Sequence, residues 1–172
     1  MIIDIFRDKV IPKLNDGRKN PVNFVWGDSS YIREYLLTLK GSSATAPYRF
    51  PLIGLYSPFD ERRQNGVVSA SVNLIVAVNT LAGYTNEQRM ELSFKEVLRP
   101  LYKDLLRALE DVRAFNIPYQ GLNHSYAENF SFGKRGALDV DGQEIDEKID
   151  AIEIKNLELN LKNLDCYGTN RL

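Results

Sequence analysis

From Val68 to Asn79 the chain alternates with period two. Val68, Ala70, Val72, Leu74, Val76 and Val78 form a wholly apolar phase, and Ser69, Ser71, Asn73, Ile75, Ala77 and Asn79 form the other. Successive side chains of a strand point to opposite faces, so this stretch demands a sheet with one face fully on a core. The second phase starts polar and turns mixed, which fits a face only partly covered. A second period-two run lies near the end of the chain, with Ile152 and Ile154 in one phase and Leu157, Leu159 and Leu161 in the other. The slip at Lys155-Asn156 is what a β-bulge produces, in either one strand or a strand pair.

The remaining elements are arranged around those runs. Ile2, Ile3, Phe6, Val10 and Leu14 share roughly one helical face, closed by Pro12 and Asn15-Asp16-Gly17. Pro21–Trp26 is β-branched and aromatic enough for a short strand. Asp28 or Ser29 can cap a helix over 30–40, ended by Gly41. Tyr48–Tyr56 resembles a strand, and Pro51 inside it predicts an edge position or a bulge, because proline cannot donate to a ladder. Residues 57–66 read as a polar connection ending in the hairpin signal Asn65-Gly66. Thr85 and Gln88 have capping-box spacing and open a helix over 86–113. On it Phe94, Val97, Leu98, Leu101, Tyr102, Leu105 and Leu109 follow helical periodicity, and Pro100 predicts a kink near 96–100. Residues 116–148 have little periodicity and many aromatic, glycine and acidic residues.

These elements give an α+β fold: a mostly antiparallel sheet of about four to five strands packed against one long helix and two shorter helices, with long irregular loops. A chain of 172 residues fits a single domain. Its expected extent is 1–162, with extended loops at 57–66 and 116–148 and a polar tail at 163–172. The single Cys166 allows no intrachain disulfide. The start of the chain lacks the basic-then-apolar pattern of a secretory signal. No apolar run reaches the about 18 residues of a membrane span, so no membrane partner is expected.

Chemistry is marked mostly by what is missing. Lys plus Arg number 22 against 23 Asp plus Glu, so there is no overall basic excess for nucleic acid. Gly133-Lys134-Arg135 lacks the rest of a phosphate loop, and no dinucleotide fingerprint occurs. Any histidine-based triad or metal site would rest on His124 alone, which reads as a solvated or hydrogen-bonded loop residue. Cys166 has no motif around it. Asp139-Val140-Asp141-Gly142 fails as a calcium loop, because Ala137 and Lys148 fall on the first and last ligand positions. No catalytic residue, metal or cofactor is therefore expected.

Binding surfaces are better represented. Lys134 and Arg135 sit in a Gly-x-x-Gly turn of the sort that can clamp a nucleic-acid backbone. Arg62 and Arg63 form a basic site before the long strand, and Asp139 and Asp141 begin an acidic stretch that runs to Asp150. Tyr119, Tyr126 and Phe130 lie outside the amphipathic faces, as aromatic residues do where a partner buries them. These nine residues are the candidate subunit-contact set.

The order of elements carries a resemblance. Phe50-Pro51-Leu52-Ile53-Gly54-Leu55-Tyr56, then Val72–Thr80, Tyr84–Arg89, Phe94–Tyr102 and the closing Ile149–Leu159 look like a family of small structural proteins of tailed bacteriophages and prophages, notably those of Bacteroidetes. The similarity spans about residues 20–162. It implies a tail terminator, tail completion or neck protein: an α/β subunit of a ring, often a hexamer, at the head–tail junction or tail end. It also implies assembly in the host cytoplasm into the virion and contacts with neck, portal or tail-tube proteins, with DNA only passing through a lumen. The resemblance carries no catalytic residue. Two other readings remain at this point: a nucleic-acid-binding module using Lys134 and Arg135, and a small enzyme using His124 or Cys166.

Overall fold

The computed structural model describes residues 2–38, 50–64, 67–81, 83–130 and 148–162. The two long alternating runs become its central pair. Strand β4 (Val67–Thr80) pairs antiparallel with β6 (Lys148–Leu161), each 14 residues long. On the other side of β4 lies β2 (Leu52–Tyr56), antiparallel to it, and β2 in turn pairs in parallel with β1 (Asn23–Gly27). Beyond β6 comes β5 (Ser125–Asn129), antiparallel. The sheet order is thus β1-β2-β4-β6-β5, with β3 (Glu61–Gln64) pairing β4 ahead of β2. The architecture is the α+β one expected, with one parallel pair in a mixed sheet.

The first face of the sheet holds the main core. Alternate residues of β4, from Val68 to Val78, are buried there with Ile152, Ile154, Leu157, Leu159 and Leu161 of β6. Two helices cover them. Helix α1 comprises Ile2–Ile5, a π-helical stretch Phe6–Val10, and Ile11–Asn15. The long helix, called α3 below, comprises Asn86–Arg89, a π-helical stretch Met90–Leu98, and Arg99–Asp111. Its capping box is present, with the Thr85 amide donating to Gln88 Oε1 at 2.9 Å and the Gln88 amide to Thr85 Oγ1 at 3.3 Å.

The first helix ends at Asn15-Asp16-Gly17 as expected, with Pro12 inside its last turn, and Pro100 does not end α3. In both helices a wide π stretch runs up to the residue pair that contains the proline. Ile11 N–H bonds Phe6 O and Arg99 N–H bonds Phe94 O, five residues back. The next residue has no N–H to give, and the wider turn takes up the interruption without ending the helix. The winding also changes the phase. Val97, expected on the apolar face, is exposed, whereas Phe94, Leu98, Leu101, Leu105 and Leu109 are buried.

Among the described residues, the second face is covered at one end only. Helix α2 (Ser29–Thr38), capped by Asp28 through a 2.7 Å bond from the Tyr31 amide, places Ile32 over Val25, Leu52, Ile75, Ala77, Ile149 and Ala151. Gly54 permits this approach: a Cβ there would lie 2.7 Å from Ile75 Cγ2 and 3.4 Å from Ile32. The other end carries Ser69, Ser71 and Asn73 and stays open, as the polar start of that phase requires.

The slip in β6 is a bulge within one strand. Leu157 pairs with Val72 and Ile154 with Leu74, so Lys155 and Asn156 together oppose Asn73. Asn156 has φ of 55°, the left-handed region that asparagine tolerates best after glycine. The Asn73 carboxamide oxygen accepts the Asn156 amide at 2.9 Å, replacing the ladder bond that the bulge removes.

Several expectations need correction. Pro51 precedes β2 rather than interrupting it, and β2 is an internal strand. Residues 57–66 are not all loop, since β3 forms within them, and 116–148 contain β5. Both strands are short and largely polar, so their side chains show no apolar alternation, and backbone pairing to a long neighbour defines them. Gln64 pairs with Val67, and Asn65-Gly66 between them lie outside the described residues, as do 163–172. No described helix is long and apolar enough to cross a membrane.

The bulge makes a sharp prediction. Asn156→Gly should leave stability close to wild type, whereas Asn156→Val should lose about 1–2 kcal/mol, because a β-branched residue is strained at positive φ. Urea unfolding of the three proteins measures the difference.

Candidate interaction surfaces

Three places combine polar chemistry with shape. The first is the open end of the second face. Ser69, Ser71 and Asn73 of β4, Asn156, Glu158 and Asn160 of β6, Arg62 of β3 and the Pro58–Asp60 segment line an open hollow of about 760 Å³. Its position follows from the chain path. Between Tyr56, paired with Asn73, and Glu61, paired with Ala70, the chain leaves the edge of β4, and the β6 bulge lies across the sheet at the same level. Arg62 faces this hollow, while Arg63 is exposed and pairs with Glu61 at 3.3 Å.

The second place is buried. Arg89, near the start of α3, reaches Asp150 of β6 and the carbonyl of Phe130 with the same Nη2 atom. Side-chain exposure is 7% for Arg89 and 0% for Asp150. The guanidinium also lies 5.3 Å over the Phe130 ring, which packs on Phe94 with 4.3 Å between centroids. Thus Arg89 ties Phe130, just past the end of β5, to Asp150 of β6. Phe130 is engaged inside the chain rather than displayed on its surface. Sequence inspection missed the pair, although Asp150 shares its phase with Ile152 and Ile154, and an acid in a buried phase needs a partner.

The third place is a polar and aromatic row along β5. Arg99 of α3 binds Glu128 through Nε to Oε1 at 2.7 Å and Nη2 to Oε2 at 3.2 Å, a fork-to-fork pair. This hydrogen bonding is the main reason the Glu128 carboxyl is held below its usual range. Tyr126 donates to Glu128 Oε1 at 2.6 Å, and its ring meets Tyr102 edge-on at 5.0 Å. Tyr102 Oη lies 2.6 Å from His124 Nε2, and His124 Nδ1 lies 2.7 Å from the Leu122 carbonyl. A carbonyl can only accept, so Nδ1 donates to it, and Nε2 shares the second hydrogen bond with the Tyr102 hydroxyl. His124 is therefore a hydrogen-bonded loop residue. Tyr119, on the loop before β5, is fully exposed.

The nine candidates thus separate. Tyr119 and Tyr126 stand on the β5 side, Arg62 and Arg63 on β3, and Phe130 beneath Arg89. Lys134, Arg135, Asp139 and Asp141 lie outside the described residues, as does Cys166. No three His, Cys, Asp or Glu side chains cluster as metal ligands among the described residues. At the opposite end of the sheet, Trp26 and Tyr31 are exposed around an aromatic-lined hollow of about 510 Å³ beside β1.

Two measurements test these contacts. Arg89→Met should cost about 3–5 kcal/mol in chemical unfolding, because it leaves the Asp150 carboxylate buried without its cation. Adding Asp150→Leu should recover most of that loss. Separately, burial first, and then the hydrogen bond to Glu128, push the Tyr126 phenol up to about 12 from its ordinary value of 10.0. Its contribution to stability is complete below pH 10 and disappears as pH rises through about 12. Alkaline absorbance titration should show a tyrosine ionising near pH 12 that Tyr126→Phe removes and Glu128→Gln moves downward.

No protein-family model matches the chain, and no curated protein matches it significantly.

Proposed function

We propose that this chain is a non-enzymatic structural subunit of a tailed-bacteriophage virion. In this reading it forms a ring at the head–tail junction or tail end, as a tail terminator, tail completion or neck protein. Its work is done by contacts with copies of itself and with neighbouring neck, portal or tail-tube proteins. It is made in the host cytoplasm and incorporated into the virion, and DNA passes through its lumen without being read.

One observation carries the reading. The sheet ends in two different strands, β1 and β5, and exposed aromatic side chains stand at both ends: Trp26 and Tyr31 at one, Tyr119 and Tyr126 at the other. Closed cyclic assembly requires two unlike surfaces on every subunit, one to give and one to receive. The resemblance in the order of elements supports the same assignment, from the Phe50–Tyr56 segment to the closing β-strand.

Purified protein should sediment as a concentration-dependent oligomer, and negative-stain images of the large species should show closed circles. A monomer at every accessible concentration, with no circular particles, counts against the proposal.

A further inference from the structure

The register of the sheet determines more than its order. Four rows of paired residues run unbroken from edge to edge, and the row through Asn73 is interrupted at the β6 bulge. Asn23, Leu52, Ala77, Ala151 and Asn129 form one row, and Trp26, Leu55, Leu74, Ile154 and Tyr126 another. Strands β1 and β5 are both five residues long and occupy the same rows. Row partners share a face, so Trp26 and Tyr126 both stand on the face covered by α1 and α3. They are 39% and 41% exposed, at opposite ends of one row.

Strand directions are complementary as well. β1 runs with β2, against β4, with β6 and against β5. A second copy placed so that the sheet continues would therefore bring β5 of one subunit beside β1 of the next in antiparallel orientation, the more stable kind of pairing. The backbone of β1 is set for it. Asn23 N–H bonds Pro51 O and Gly27 O accepts from Ser57 N–H, so Asn23, Val25 and Gly27 face β2 while Phe24 and Trp26 turn their backbone groups outward. Among the described residues no strand pairs with β1 on that side or with β5 on its outer side.

Both aromatics are held in place before any contact is made. Trp26 stacks on Phe24 at 5.7 Å, and Phe24 on Phe6 at 6.0 Å. Tyr126 is fixed by Glu128 and Tyr102. A rigid aromatic loses little conformational freedom on binding, which is why such residues anchor interfaces.

We infer that copies of this chain join head to tail by antiparallel pairing of β5 of one subunit with β1 of the next, with Tyr126 of the first beside Trp26 of the second. The inference rests on the ring reading above and specifies its interface. The contact is heterologous, the kind a ring requires, and it closes where the rotation between successive subunits divides a full turn.

Thiol cross-linking and hydrogen exchange test it, both under assembling conditions. In a Cys166→Ser background, the double variant Trp26→Cys, Tyr126→Cys should give a ladder of disulfide-linked species on oxidation. Either single variant should stay uncrosslinked alone, and the two mixed should give dimers. Single variants that cross-link by themselves would reveal a like-to-like contact and overturn the inference. Because the Trp26 change can disturb folding, wild-type exchange provides the second reading: the β1 and β5 amides should slow by roughly tenfold or more on assembly. Assembly without slowing at these strands defeats the interface and leaves the ring reading standing. Absence of assembly defeats both.

Discussion

The pairing of β4 with β6 is the constraint on which the rest depends. Two 14-residue strands run side by side, and each must keep its apolar phase on the same face over its whole length. A bulge normally sends following side chains to the opposite face. Here the sequence reverses phase at the bulge, so Leu157 and Ile154 on either side of it enter one core. Asn73 and Asn156 make the reversal affordable in hydrogen bonds, and both helices of the main face pack on the continuous surface that results. The polar hollow on the reverse side occurs at the level where this irregularity meets the excursion between β2 and β3.

Charge serves two purposes in the structure. At the surface, pairs such as Arg7–Asp4 are solvated and contribute little to stability. Arg89 and Asp150 are different, because both are buried and three buried polar atoms near the end of the sheet, Arg89 Nε, Asp150 Oδ2 and Thr80 Oγ1, have no hydrogen-bond partner among the described residues. Such a pair gains little net stability over an apolar pair of similar volume, yet it penalises any arrangement that separates its members. Its role is therefore to fix how α3 meets β6. The Arg99–Glu128 fork does the same for β5, with more access to water.

What could be read from the residues depended on how much each element owes to its own side chains. The β4 alternation, the slip at Lys155-Asn156, the Thr85 capping box and the Asp28 cap are local signals, and each has its counterpart in the fold. β3 and β5 owe their conformation to a neighbour's backbone, so Glu61–Gln64 and Ser125–Asn129 look like loop. Val97 was misplaced because the periodicity argument assumes α-helical winding where the helix is wider. Tyr119 and Tyr126 were legible as displayed aromatics. Trp26 was not, because a tryptophan in a short apolar strand looks like core until the strand proves to be an edge.

The wide stretch of α3 has a consequence for the inner end of that helix. Arg89 and Phe94 both reach Phe130, although they are five positions apart. In uniform α-helical winding, five positions correspond to a rotation of about 140°, which would direct one of the two away from the sheet. The expanded coil therefore works as an angular adapter: it lets a cation and a phenyl ring grip a single anchor from the same side, and Pro100 downstream helps to keep it unwound.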